Sequence, residues 1–262
     1  MTQSPNKIQS ISYPETGNEA SFSVEDDSYW FHHRNNCIYT LLTNHYQENS
    51  FVDIGGGNGC VAEFLENKGI QSTLIEPGKL AVENAKKRNI KSIINSRLED
   101  TAFEPETFPA AGLFDVLEHI EKEQDFLRQI HKYLKKDGLL VLTVPAHSWL
   151  WSGEDRYAGH FRRYSLKSLS QTLNASGFSV SYISYFFSVL VFPIFLLRII
   201  PSILGFNNVL KDNIPIKKQH KINNKLINYY TTKKWEKELA RIKMNKRIRW
   251  GSSLICLAKK SV

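Results

Sequence analysis

The sequence predicts an α/β fold built on a mostly parallel sheet. Three observations support this prediction: short apolar runs alternate with stretches of helical periodicity, a glycine-rich loop follows the first apolar run, and an acidic residue ends the second. Repeated strand–helix units of this kind place their strands side by side in parallel. A chain of 262 residues can bury one sizeable core, and we interpret it as one domain with an insertion.

Predicted strands and helices alternate along most of the chain. Strands are predicted at residues 50–54, 72–75, 93–95, 139–144, 178–185 and 252–258. Helical runs cover residues 60–68 and 79–88, and a third helix places Phe126, Ile130 and Leu134 on one face. Ser165 is a suitable N-cap for a fourth helix, which ends at Gly177.

Residues 186–250 do not follow the strand–helix pattern. The segment begins with an apolar run, residues 186–206, and continues as a basic one. Pro193, Arg198 and Pro201 interrupt the apolar run, which argues against a membrane-spanning helix of about 20 apolar residues. We expect a helical cap, which either packs over an active site or lies in a membrane interface. The polar residues 1–28 are expected to be a loosely ordered lead-in without the features of a signal peptide.

The charge is unevenly distributed. Residues 207–262 hold fifteen Lys and Arg against three Asp and Glu, whereas residues 1–206 hold nineteen against twenty-three. Such a basic segment attracts an anionic membrane surface, nucleic acid or a phosphorylated substrate, or is simply a solvated face. The three cysteines form no CxxC pair, so neither a disulfide framework nor a zinc site is indicated, and a cytoplasmic setting is predicted.

A nucleotide-type loop is predicted at residues 52–59, Val-Asp-Ile-Gly-Gly-Gly-Asn-Gly. Gly55 and Gly57 allow the backbone to turn sharply and to approach a ligand at the start of the next helix. No Gly-Lys-Ser/Thr is present, which excludes a P-loop, and Cys60 replaces the third glycine of GxGxxG. Glu76 ends the second strand about twenty residues later, where a carboxylate can accept both ribose hydroxyls; NAD enzymes share this feature.

Four motifs in order resemble those of the class I S-adenosylmethionine-dependent methyltransferases, particularly the small-molecule branch with the ubiquinone-biosynthesis group. They are the glycine loop, Glu76, residues 114–119 (Phe-Asp-Val-Leu-Glu-His) and residues 136–145 (Lys-Asp-Gly-Leu-Leu-Val-Leu-Thr-Val-Pro). The resemblance covers residues 29–185 and resumes at Gly251. It implies a Rossmann-like, seven-stranded, mostly parallel sheet with helices on both faces and a helical insertion before the last strand. Residues 29–185 and 251–262 would form the methyltransferase domain, and 186–250 the cap.

The resemblance also implies S-adenosylmethionine as the cofactor, with S-adenosylhomocysteine as the product. By position, Asp53, Gly55 and Gly57 would line the methionine part, Glu76 with Pro77 the ribose, Leu98 and Glu99 the adenine, and Phe114 and Asp115 would close the pocket. Trp30 and Arg34 resemble an amino-terminal WFxxR element that covers the cofactor and pairs with its carboxylate. Pro109 replaces the aspartate usual at the start of strand four, so we expect changed local geometry there and a retained cofactor site.

Methyl transfer from a sulfonium is an in-line displacement, so the protein aligns donor and acceptor and removes a proton from a hydroxyl acceptor. His119, after strand four, is one candidate base, and His160, in the loop after strand five, is the other; the sequence does not rank them. Trp151, Arg163 and Tyr164 share that loop and are predicted to contact the acceptor, unless the arginines instead pair with Asp155.

A metal ion is not predicted. Asp115, Glu118 and His119 resemble a cluster with which some ubiquinone-pathway O-methyltransferases bind a divalent ion, but the aspartate is shorter than the usual first glutamate.

The predicted acceptor is a small molecule, hydrophobic or lipid-linked, and O-methylation is favoured. Two alternatives remain open: a methyltransferase acting on RNA or protein, supported by the basic segment, and an NAD-dependent oxidoreductase. Nucleic acid is disfavoured as a partner, because no (D/N)PP(Y/F) motif follows strand four. Peripheral membrane contact through residues 186–250 is a further expectation, and the oligomeric state is left open.

Overall fold

One seven-stranded sheet forms the centre of the molecule, whose computed structural model describes residues 15–203 and 224–261. The strands are β1 Ser50–Ile54, β2 Gln71–Ile75, β3 Ser92–Ile94, β4 Phe108–Phe114, β5 Leu134–Pro145, β6 Phe178–Phe186 and β7 Ser253–Lys260. Their order is β3-β2-β1-β4-β5-β7-β6, and β7 runs antiparallel to both of its neighbours while the other pairs are parallel. The predicted mostly parallel sheet is therefore confirmed, with an antiparallel end.

Helices flank this sheet. They are α1 Glu15–Glu25, α2 Tyr29–His45, α3 Cys60–Asn67, α4 Lys79–Lys86, α5 Glu123–Tyr133, α6 Gly153–Ala158, α7 Leu166–Ala175, α8 Val191–Ile194, α9 Ile200–Ile203 and α10 Lys225–Lys243, with a π-helical turn at Phe195–Ile199. Because side chains alternate along a strand, β5 sends Leu140 and Leu142 into a core shared with α5 and α7, and Val141 into a second core shared with α2. Both faces of the sheet are thus covered.

Strand β4 departs from the regular pattern at its start. All seven of its residues are buried, so it shows no polar alternation. The register with β5 shifts between Phe108 and Ala110, on either side of Pro109. Proline has no N–H to donate to a neighbouring strand, and such residues occur at bulges. The changed geometry expected at Pro109 is present.

The amino-terminal segment differs from the expected loose lead-in. Residues 15–25 form α1, and Ser28 caps α2 by accepting from the backbone N–H groups of Trp30 and Phe31. Arg88 of the α4 region holds α1 in place, because its buried guanidinium lies 2.8 Å from Glu25 and 2.6 Å from Asp26. The expectation is therefore corrected for residues 15–28, while residues 1–14 lie outside the described part of the chain.

The insertion contains two differently placed parts. The first, residues 188–203, consists of the Ser188–Leu190 turn, α8, the π-helical turn and α9, and we call it the lid. The second, α10, packs on α2, where Trp235 stacks on His33 with ring centroids 4.5 Å apart. Helix α10 therefore flanks the sheet, whereas the sequence had predicted a cap over the whole of residues 186–250. Residues 204–223 lie outside the described ranges.

Helix α10 nevertheless holds the base of the lid, which is the turn at Phe187 and Ser188. The buried Glu238 accepts hydrogen bonds from the backbone N–H groups of Phe187 at 2.9 Å and Ser188 at 2.7 Å, and lies 2.9 Å from the ring of His33. Phe187 has a left-handed backbone, φ +59°, so the chain turns sharply as it leaves β6. Among the residues that the structure describes, no helix is long and apolar enough to cross a membrane.

Candidate cofactor and acceptor site

The glycine loop connects β1 to α3 at the carboxyl edge of the sheet. Its start is fixed by the Gly55 N–H, which donates to the Ile75 carbonyl of β2 at 2.7 Å. Gly59 has φ +77°, and a Cβ at this position would lie 2.3 Å from Ile90 Cδ1. Both the backbone conformation and the space therefore require glycine where α3 begins. The loop can approach a ligand closely at a helix amino terminus, as predicted.

Glu76 links the two loops that follow β1 and β2. One of its carboxylate oxygens accepts from the Gly57 N–H at 2.9 Å and the other from the Gly78 N–H at 2.7 Å. Burial raises the pKa of Glu76, although these two hydrogen bonds oppose the shift. Each oxygen keeps a second lone pair, which can accept from a ribose hydroxyl. Pro77, Leu98 and Glu99 line the same cavity as Glu76.

Asp53 lies beneath the glycine loop with an unusual lack of partners. The residue is fully buried, and within residues 15–203 and 224–261 neither carboxylate oxygen has a hydrogen-bond partner of good geometry, the Ala62 N–H making only a weak contact. Burial raises the pKa of Asp53 to about 7, against the opposing charge of Arg34. A buried carboxylate without partners is costly unless a ligand supplies the donor. The ammonium group of an amino-acid moiety is such a donor, so this position fits the methionine part of S-adenosylmethionine.

Arg34 reaches the site from α2. Its Nη1 donates to Asp115 Oδ2 at 2.7 Å, and its guanidinium lies 4.9 Å from the Trp30 ring centroid and 5.0 Å from that of Phe31. Trp30 in turn stacks on Phe187 at the base of the lid, with centroids 5.1 Å apart. The amino-terminal element is thereby joined to the end of β4 and to the lid.

A single cavity of about 1370 Å³ contains these groups. This volume exceeds the roughly 300–1,000 Å³ of most small-molecule sites, which leaves room for a donor and an acceptor together. All of the predicted cofactor residues line it: Trp30, Arg34, Asp53, Gly55, Gly57, Glu76, Pro77, Leu98, Glu99, Phe114 and Asp115. Sequence reasoning missed Asn18, Ser21 and Glu25 of α1, which also line it.

His119 and His160 line the same cavity, and the buried Asp155 joins them in a polar cluster. The His119 and His160 rings meet edge to face, with centroids 4.6 Å apart. Burial, together with the smaller effect of the neighbouring His160, lowers the pKa of His119 to about 3. His119 is therefore neutral and a weak base at neutral pH.

His160 is oriented by a buried carboxylate. Its Nδ1 lies 2.9 Å from Asp155 Oδ1. Burial alone would raise the pKa of Asp155, but the hydrogen bond from His160 and the charge of Arg163 outweigh it and bring the pKa to about 2. An ionised Asp155 accepts the Nδ1–H, which leaves the lone pair on Nε2. The geometry therefore ranks His160 above His119 as a proton acceptor.

Glu118 lies beside both histidines. The residue is buried, and burial together with the charge of Asp115 raises its pKa well above the ordinary value. Its Oε1 lies 4.0 Å from His160 Nε2. The raised pKa of Glu118 disfavours a charged partner for His160 on this side.

Of the three residues predicted to contact the acceptor, only Arg163 lines the cavity. Its Nε and Nη2, however, donate to Asp155 at 2.7 and 3.1 Å. Tyr164 is buried and its hydroxyl donates to Glu123, while Trp151 also falls outside the cavity wall. The assignment of Tyr164 to the acceptor is therefore corrected, whereas that of Trp151 stays a prediction. A backbone bridge between Ala146 and Tyr164 turns the Tyr164 side chain into the core.

The possible metal ligands also differ from the set that the sequence suggested. Donor atoms of Glu118, His119 and His160 lie within 4.8 Å of one another, whereas Asp115 is paired with Arg34. Metal ligands must be deprotonated, and burial together with the charge of Asp115 raises the pKa of Glu118, which disfavours the ionised form that a metal would need. The site without a metal stays a prediction.

Comparisons with known proteins agree with this geometry. A family model described as a methyltransferase domain matches residues 32–183. This chain belongs to that family and is a class I S-adenosylmethionine-dependent methyltransferase. The NAD-dependent alternative is thereby set aside, and S-adenosylmethionine is the cofactor.

The chain is similar to ubiquinone biosynthesis O-methyltransferases. It is 31% identical to the mitochondrial enzyme of Schizosaccharomyces pombe over 41% of this chain and 42% of that one. It is 24% identical to the enzyme of Rickettsia canadensis over 41% of this chain and 48% of that one. The chain thus spans less than half the length of either relative. In fold it is similar to phosphoethanolamine N-methyltransferase 2 of Haemonchus contortus, with a TM-score of 0.59, 16% identity, and coverage of 99% of this chain and 62% of that one.

Proposed function

We propose that this enzyme transfers the methyl group of S-adenosylmethionine to a hydroxyl of an apolar small molecule, and that His160 accepts the hydroxyl proton. One observation carries the proposal. A single cavity is lined by the residues predicted to bind the donor, by residues of the apolar lid, and by His160, which is paired with the buried Asp155.

The donor end derives its selectivity from two buried carboxylates. When bound, S-adenosylmethionine supplies an electrophilic methyl group on a sulfonium. Asp53 offers two unpartnered oxygens to the cofactor's ammonium group, and Glu76 offers its remaining lone pairs to the ribose. Arg34 is paired with Asp115 in this structure. When the cofactor binds, Arg34 can exchange this partner for the cofactor's carboxylate.

The acceptor end favours an apolar ligand with an acidic hydrogen. The lid contributes an apolar wall to the cavity, formed by Leu190, Pro193, Ile194, Leu197 and Pro201. His160 faces the same space, and Asp155 both fixes its ring and stabilises the charge that it gains with the proton. The names of the O-methyltransferase relatives support transfer to oxygen. A polyprenyl or other lipid-linked phenol fits this combination.

The experiment incubates the purified enzyme and [methyl-³H]S-adenosylmethionine with total cell extract, followed by separation into organic-soluble, water-soluble, RNA and protein fractions. We expect enzyme-dependent label in the organic fraction, and we expect His160→Ala to abolish it. His45→Ala, an exposed histidine of α2, is the matched control. Label that enters RNA or protein instead would overturn the proposal.

A further inference from the structure

We infer that an exposed aromatic face beside the lid docks this enzyme on an anionic lipid membrane. The aromatic face consists of Trp149, Phe192, Phe195, Leu196 and Trp250. The docking itself does not depend on the identity of the methyl acceptor, whereas its consequence for acceptor entry rests on the proposed function.

The members of the aromatic face are exposed and adjacent. Trp149, Trp250 and Phe192 expose 45%, 49% and 69% of their surface. The ring centroid of Trp149 lies 5.9 Å from that of Trp250 and 6.1 Å from that of Phe195. Phe192, Phe195 and Leu196 have the spacing that places side chains on one side of a helix. Large apolar groups from three separate segments therefore form one exposed patch, which marks an interaction surface.

The two tryptophans are held outward by a rigid support. His147 lies behind both, with its ring centroid 5.4 Å from Trp149 and 5.4 Å from Trp250. The His147 ring stacks on Tyr185 of β6 at 4.8 Å, with an interplanar angle of 11°. The sheet thus presents the indoles to the outside. Tryptophan is enriched at the membrane–water interface, where its ring meets the acyl boundary and its N–H meets the headgroups.

A basic segment leads directly into the aromatic face. Lys243, Lys246, Arg247 and Arg249 are all exposed and immediately precede Trp250. Residues 239–262 contain no Asp or Glu. Each Lys or Arg near an anionic bilayer contributes to binding, and a basic patch combined with inserted apolar groups gives stable peripheral attachment. Charge complementarity therefore favours an anionic bilayer over a neutral apolar partner.

The aromatic face is continuous with the cavity. Pro193 lies between Phe192 and Phe195 along the lid, and Leu197 directly follows Leu196; both are exposed on the outside and also line the cavity. A docked enzyme would therefore place the lid end of the cavity at the acyl boundary. An apolar acceptor could enter sideways from the bilayer without crossing water, which deepens the proposed function.

The experiment measures co-sedimentation of the full chain with vesicles of phosphatidylcholine and phosphatidylglycerol in a 3:1 ratio, and with phosphatidylcholine alone. We expect binding to the anionic vesicles and a loss of at least tenfold in partitioning for Trp149→Ser/Trp250→Ser. Tyr229→Ser/Tyr230→Ser removes two equally exposed rings from α10 and should bind within twofold of the wild type. Arg247→Gln/Arg249→Gln should weaken binding about tenfold at low salt.

Two measurements keep the result interpretable. Calorimetry with S-adenosylhomocysteine shows whether the double tryptophan variant is folded. Brominated phosphatidylcholine in the vesicles should quench the tryptophan fluorescence of the wild-type protein, which tests insertion of the indoles without any substitution. Absence of binding to anionic vesicles, or undiminished binding by the double tryptophan variant, would overturn the inference. A concentration-dependent dimer that this variant loses would also overturn it, because the face would then join two copies. None of these measurements involves methyl transfer, so a negative result for membrane docking is distinguishable from a failure of the proposed function.

Discussion

The imidazole of His160 and the carboxylate of Asp155 form a buried, oriented pair, with Nδ1 2.9 Å from Oδ1. The pair lies in the segment after β5, with Asp155 on α6 and His160 just beyond it, while most of the predicted cofactor residues lie at or after the ends of β1, β2 and β4. Parallel strands bring these segments to one edge of the sheet.

The two histidines should respond differently to substitution. His160→Ala is expected to lower kcat by about 10²–10⁴-fold, the usual contribution of a general base, and to leave the Kd of S-adenosylhomocysteine unchanged. His119→Asn should lower kcat by less than about tenfold, because its depressed pKa of about 3 leaves it a weak base. Steady-state kinetics and calorimetry check both variants. An equal loss of kcat in the two would contradict the assignment.

Asp155→Asn should affect both activity and stability. The substitution leaves the buried Arg163 guanidinium without its charged partner, which costs about 3–5 kcal/mol. We expect a lower Tm and, in the folded fraction, a kcat reduced at least about tenfold with little change in KM, because His160 loses its orientation. Glu236→Gln, which removes an exposed partner of Lys233 outside the cavity lining, is the control and should leave both quantities unchanged. A folded Asp155→Asn enzyme with wild-type kcat would exclude the orienting role.

Glu76→Ala should weaken cofactor binding. The loss of charge-assisted hydrogen bonds costs about 1.5–3 kcal/mol, which corresponds to a roughly tenfold to 150-fold higher Kd for S-adenosylhomocysteine. Part of this effect comes from the released N–H groups of Gly57 and Gly78. Calorimetry measures the change, with the exposed Glu83→Ala of α4 as the control. An unaltered Kd would refute the ribose role.

Cofactor affinity should depend on pH through Asp53. Because burial raises the pKa of Asp53 to about 7, acidification through this pH protonates the carboxylate and removes the charge that attracts the ammonium group. The Kd of S-adenosylhomocysteine should therefore rise roughly tenfold between pH 8 and pH 6, as the ionised fraction falls. Asp53→Asn should abolish this dependence and bind weakly throughout. A flat profile in the wild type would argue against the contact.

Removal of divalent ions should leave methyl transfer unaffected. The raised pKa of Glu118 disfavours the ionised carboxylate that a metal ligand needs. Activity after dialysis against EDTA should match that of the untreated enzyme. A loss of activity restored by Mg²⁺ or Zn²⁺ would instead assign an ion to Glu118, His119 and His160.

The cofactor end could be predicted from the sequence because its determinants are local. Asp53, the glycines and Glu76 each lie at or directly after the end of a strand, so the position along the chain nearly defines the position in space. The covering helix α1 could not be predicted in this way. Its attachment depends on the ion pair between Glu25 and Arg88, which joins residues far apart in the chain.

The acceptor end was harder to predict, because contacts between residues far apart in the chain place its side chains. Tyr164 and Arg163 are neighbours, yet the bridge between Ala146 and Tyr164 buries one and leaves the other in the cavity wall. The placement of α10 depends on Trp235 stacking against His33 of α2, a contact that no periodicity reveals. Charge and apolar content indicated an insertion, but not which half of it meets the ligand.

The position of β7 between β5 and β6 has a consequence for synthesis and folding. β7 follows the insertion along the chain, so β5 and β6 have no strand between them until the lid and α10 have already been made. During translation both strands would present unpaired edges, which are prone to pair with other chains. Early packing of α10 on α2, which shields the apolar surface around Trp235, would protect the nascent chain during this interval.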